Sequence, residues 1–118
     1  MKPKSAELLA LLGHLYLQHG KAAEAVAALE GLTTIEPKNQ KARFALAYAY
    51  VLNGDHQNGL DTIIEYSRKN PTNMNVELVR ARALWGLGRQ KDARRAVQQL
   101  PDQQLPDQLS EDSRINNG

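Results

Sequence analysis

Residues 44–55 read FALAYAYVLNGD. Three aromatics, Phe44, Tyr48 and Tyr50, fall here in a chain that is only 5% aromatic. On a helix Phe44 and Tyr48 stand one turn apart and share a face, while Tyr50 points elsewhere. Two faces of one helix are thus apolar, and a single core explains only one of them. A shift of 34 residues in either direction places this stretch on ALLGHLYLQHGK at 10–21 and LVRARALWGLGR at 78–89. Tyr16, Tyr50 and Leu84 then coincide, as do Gly20, Gly54 and Gly88; Ala25, Gly59 and Ala93; and Leu29, Ile63 and Val97. Pro37 falls on Pro71. The register runs without a gap over three units, about 6–39, 40–73 and 74–107, and a fixed period of this length is the sign of a solenoid.

Each unit reads as two helices. Gly20, Gly54 and Gly88 fall where the first helix must stop, the usual place for a left-handed cap. Pro37 and Pro71 end the second helix. Gly13, Ala47 and Ala81 on the first helix, and Ala25, Gly59 and Ala93 on the second, let the paired helices approach closely. The expected helices are about 5–19, 22–34, 40–53, 56–69, 74–87 and 90–100. Residues 1–5 are then a leader and 108–118 a polar, disordered tail, with a short helix from about Asp107 as an alternative. The third unit departs most: Arg80 stands where Leu12 and Leu46 stand in the other units, Glu77 where Leu9 and Arg43 stand, and Pro101 cuts its second helix short.

The totals set bounds. A chain of 118 residues with 42% hydrophobic and 24% charged residues is one small globular domain. Its net charge of +2 is too weak to imply a nucleic-acid or membrane partner. There is no cysteine, so neither disulfide nor thiolate chemistry enters. Lys2 and Lys4 before LLALLGHLYL imitate a signal peptide, with Ala25-Val26-Ala27 as a cleavage site, but Glu7 and His14 interrupt the pattern and the repeat explains the same residues. His14, His19 and His56 are far apart in the repeat, no three ligands converge for a metal, and there is no phosphate-cradling loop or nucleophile elbow. The expectation is a non-enzyme without cofactor or metal.

The in-phase set, Leu12-Gly13, Tyr16, Ala25 and Pro37 in the first unit, Leu46-Ala47, Tyr50, Gly59 and Pro71 in the second, Ala81, Gly88 and Ala93 in the third, resembles the tetratricopeptide repeat. The resemblance implies an all-α fold of three helix-turn-helix repeats in a short right-handed solenoid, with the first helices lining a concave surface. Core-facing positions of these helices include Leu12, Tyr16, Leu46 and Tyr50. On the opposite side lie Ala10, His14 and Leu17 in the first unit, Phe44, Tyr48 and Val51 in the second, and Leu78, Arg82 and Trp85 in the third. A solvated face would be charged; this one is apolar and aromatic. It is the expected groove for an extended or helical peptide, and the competing reading is that Phe44, Tyr48 and Trp85 only complete a small core. Only Lys41 and Arg82 resemble the residues with which some repeats of this kind clamp a C-terminal carboxylate, so such a clamp is not expected.

Charge is uneven. Over 6–39, Lys21 and Lys38 stand against Glu7, Glu24, Glu30 and Glu36, leaving −2; over 74–100 an excess of arginine leaves +4. A solvated outer face is the plain reading, and a site for an acidic partner the sharper one. The layout and the segment from Leu11 to Gly20 resemble the small chaperones of bacterial type III secretion, the YscY-like (SctY) family. That resemblance implies a cytoplasmic chaperone for a small secreted SctX-like subunit, docking with it on the export gate. Needle-subunit (SctG-like) co-chaperones and a generic interaction scaffold are the alternatives, with self-association through the open ends when no client is bound.

Overall fold

A computed structural model of the chain describes residues 2–98. Among the described residues there are six α-helices and no strand: α1 Lys2–Gln18, α2 Ala22–Ile35, α3 Gln40–Leu52, α4 His56–Lys69, α5 Met74–Gly86 and α6 Gln90–Gln98. Each pairs with its neighbour in sequence, α1 with α2, α3 with α4, α5 with α6, and each pair packs on the next through α2 with α3 and α4 with α5. This is the expected all-α repeat array. α1 begins at Lys2, so residues 2–5 belong to the helix rather than to a leader. The Pro101 break, the tail at 108–118 and its helix from Asp107 lie outside the described residues.

The three inner turns are built identically. Gly20, Gly54 and Gly88 have φ of 71°, 85° and 81°, a region open to glycine because it lacks Cβ. Each lets the next residue's N–H reach back to a carbonyl five residues earlier: Lys21 to Tyr16 at 2.8 Å, Asp55 to Tyr50 at 2.8 Å, Arg89 to Leu84 at 2.9 Å. The glycine N–H itself bonds Leu17, Val51 or Trp85, completing the paired cap that satisfies a helix's last carbonyls. The turns between repeats use a second device. The Asn39 side chain accepts from the Ala42 N–H, and that of Asn73 from the Val76 N–H, both at 3.0 Å. These N-caps also sit 34 apart, two residues after each proline, and cap α3 and α5.

The core divides into two clusters that meet in α3. Ala42, Leu46 and Ala49 pack with Ala25, Val26, Leu29 and Leu32. Ala47 and Val51 pack with Leu60, Ile63, Val76, Val79 and Leu84. Hence α3 is apolar nearly all round, because it has a repeat on each side. Tyr16, Leu46 and Tyr50 join the first cluster as expected, while Leu12 is only half-buried. Arg43 is half-buried, binds Glu65 at 3.2 Å and donates to the Pro37 carbonyl at 2.7 Å. His56, beside a turn, is half-buried: its ring covers Gly86, where a Cβ would lie 2.4 Å from it.

Tyr50 donates its hydroxyl to the Glu30 carboxylate, tying α3 to α2. Partial burial, then this bond, then the charges of Glu30 and Asp55 push its pKa from 10.0 up to about 12. The folded state therefore holds this proton more tightly than the unfolded chain, and the associated stability is complete below pH 10 and lost between there and about 12. Phenolate absorbance across this range should show one of the four tyrosines ionising late, and Tyr50→Phe should remove that late step. A wild-type titration indistinguishable from that of Tyr50→Phe, once scaled for tyrosine number, contradicts the assignment.

Candidate functional site

The first helices present their outward faces to shallow hollows at the repeat junctions. Between α1 and α3 lies a hollow of about 360 Å³, lined by Ala10, His14 and Leu17 with Lys41 and Ala45, and floored by Leu29 and Leu32. Between α3 and α5 lies another of about 360 Å³, lined by Phe44, Tyr48, Asn75, Leu78, Val79 and Arg82. A third, of about 350 Å³, opens at the far end and is walled by Leu78, Ala81, Trp85, Ala93, Arg94 and Val97. All three have walls that are mainly carbon.

Eight of the nine expected residues thus line these hollows, and Val51 does not. It is only 6% exposed and belongs to the core with Leu60 and Ile63. The physical reason is its partner: Gly59 of α4 carries no side chain, and Val51 fills the space where one would be. Trp85, at the equivalent place in the third unit, is 53% exposed because no further helix among the described residues covers it. Phe44 and Tyr48 have a double role. Both are half-buried against the second cluster, and Phe44 meets Tyr66 at 5.5 Å between ring centroids with a 57° tilt, a favourable aromatic geometry. Their remaining surface forms the wall of the middle hollow. Different parts of the same two side chains thus serve the core and the wall of the hollow.

The polar members are dispersed. His14 and Lys41 stand in the first hollow and Arg82 in the second, so the two clamp-like cations line different hollows and do not converge on one carboxylate. Among the described residues no group of His, Asp and Glu is placed to hold a metal ion. Sequence reasoning missed Ala45, Asn75 and Val79 as lining residues. They belong to the incoming helix of each junction, and the 34-residue shift that carries Lys41 onto Asn75 and Ala45 onto Val79 is the signal that finds them.

Residues 16–73 match a family model described as Tetratricopeptide repeat. The fold is a tetratricopeptide repeat array. The match spans the end of α1 through the Asn73 cap, so the third tetratricopeptide unit carries the same turn and helix pair beyond the matched residues. No curated protein matches the chain. Tetratricopeptide units are interaction modules, and the surface they form here is suited to protein–protein contact. No described helix is long and apolar enough to cross a membrane.

Proposed function

We propose that the chain is a non-enzymatic, peptide-binding chaperone whose client lies along the hollows between α1, α3 and α5. The observation that carries this reading is the middle hollow, where Phe44, Tyr48 and Leu78 offer apolar surface beside a single cation, Arg82. Tyrosine removes a large area from water at small rotamer cost, which is why it dominates binding hot spots. The client is expected to be an apolar segment with an acidic residue placed against Arg82. The resemblance to small type III secretion chaperones supplies its class, a small secreted SctX-like subunit held in the bacterial cytoplasm before export, with the needle-subunit chaperones as the nearest alternative.

Co-expression with the products of the flanking genes tests this directly. One small product should co-purify in equal amount with the wild type. Tyr48→Ser combined with Leu78→Ser should lower the recovered product by roughly tenfold or more, with helical circular dichroism unchanged. These two are chosen over Phe44, whose ring also packs on Tyr66. Undiminished recovery from the double variant removes the groove from consideration.

A further inference from the structure

Helix α1 carries an apolar stripe that the groove does not use. Leu8, Leu11 and Leu15 are 55%, 53% and 38% exposed and share one face of the helix by their spacing. A shift of 34 residues turns them into Ala42, Ala45 and Ala49, and a second shift into Val76, Val79 and Ala83. Those six are the residues by which α3 packs on the first repeat and α5 on the second; five are buried and Ala45 is half-buried. In α1 the same positions hold larger side chains, and they face solvent.

The opposite end of the array shows the converse. Trp85 and Val97 form the far hollow with Leu78, Ala81, Ala93 and Arg94. Their counterparts one unit earlier, Val51 and Ile63, are buried, in the cluster that α5 completes. One chain therefore exposes both halves of its own repeat-to-repeat contact, one at each end. The ends differ in charge as well: residues 2–39, from the start of α1, sum to 0, and residues 74–98 to +4.

We infer that a second copy of this chain docks head to tail, the Leu8–Leu11–Leu15 stripe of one copy seating on the Trp85–Val97 end of the next, as α3 and α5 seat within the chain. The contact is heterologous, so it propagates rather than closes after two copies, and it would carry the hollows of one copy on into the next. Burial of two leucines supplies much of the affinity.

Sedimentation across a range of concentrations should show a mass that grows with concentration for the wild type. Leu11→Glu with Leu15→Glu blocks one end, and Trp85→Glu blocks the other. Each should remain a single chain, with association weakened by roughly a hundredfold. Mixed, they should form a dimer and no larger species, since each retains one working end. The chain has one tryptophan, so Trp85 emission from the leucine variant should shift to the blue on mixing with the partner that lacks it. Leu11→Ala with Leu15→Ala, which keeps helix propensity, serves if the charged pair disturbs folding, with a smaller loss expected. A wild type that stays a single chain at every concentration overturns the inference. So does association unaltered by either end variant, or failure of the two to recombine, which would point to a symmetric contact or to an end covered by the chain's own residues.

Discussion

Glu77→Leu should destabilise the fold by about 3 kcal/mol, the cost of leaving one partner of a buried ion pair alone. For a domain of this size that is a fall of roughly 10–20 °C in Tm. Glu77 is 4% exposed. One of its oxygens accepts from the Thr72 hydroxyl, and the other stands 3.4 Å from Arg80 Nε. Both of the latter atoms are buried without a well-formed hydrogen bond, so the contact is an ion pair held by charge. Arg80 also donates to Ser67 on α4, at 3.1 Å. Arg80→Leu should cost a similar amount, since it strands the carboxylate. The double variant should recover most of the loss. The positions equivalent to 77 and 80 in the first unit are Leu9 and Leu12, so the double change gives the third unit the first unit's pair. Buried ion pairs are often replaceable by packed apolar groups at little cost, while half of one is not. Denaturant unfolding of the four proteins checks this. Single effects that simply add, within about 0.5 kcal/mol, would show that the pair is not coupled.

That network also marks the limit of what the sequence made legible. The turns, the helix pairs and the close crossings followed from glycine, alanine and proline recurring at a fixed interval, because each of these residues acts through its own backbone or its own small size. Glu77 and Arg80 looked like defects of the third unit for the complementary reason. Their effect depends on Thr72 and Ser67, which lie in a loop and on another helix, and no interval within one unit pairs them. The groove was legible as a face, from Phe44, Tyr48, Leu78 and Arg82, but the burial of Val51 was not. Helical periodicity places Val51 on the same side as Tyr48 and does not register how closely α4 approaches there. His56 behaves alike: it stands beside a turn, yet the absence of a side chain at Gly86 lets its ring settle over that helix. In each case a missing side chain elsewhere decided the outcome.

Gly59→Ala should destabilise by about 2 kcal/mol, although alanine in a helix interior ordinarily gains roughly 1 kcal/mol over glycine. A Cβ at this position would lie 2.6 Å from Val51 Cγ2 and 3.3 Å from the Ala47 carbonyl oxygen. The carbonyl belongs to the α3 backbone and cannot yield alone. Val51 is branched at Cβ and has one preferred rotamer in a helix, so its methyl cannot swing aside. The other units show the compensation. Where Gly59 becomes Ala25 or Ala93, the residue facing it becomes Leu17 or Trp85, neither of which branches at Cβ. Val51→Leu should therefore relieve Gly59→Ala, and the two changes together should be more stable than Gly59→Ala alone. Gly31→Ala is the control: its Cβ would meet only the flexible end of Leu9, at 3.3 Å, and it should be neutral or stabilising. Thermal unfolding of the four variants decides the matter, and an unperturbed Gly59→Ala would show that the α3–α4 crossing has room to spare. The same crossing sets how far α3 stands from α4, and α3 carries the Phe44 and Tyr48 wall of the middle hollow. A forced separation at residue 59 should thus weaken client binding even in the fraction of molecules that remain folded, a loss that Val51→Leu restores together with stability.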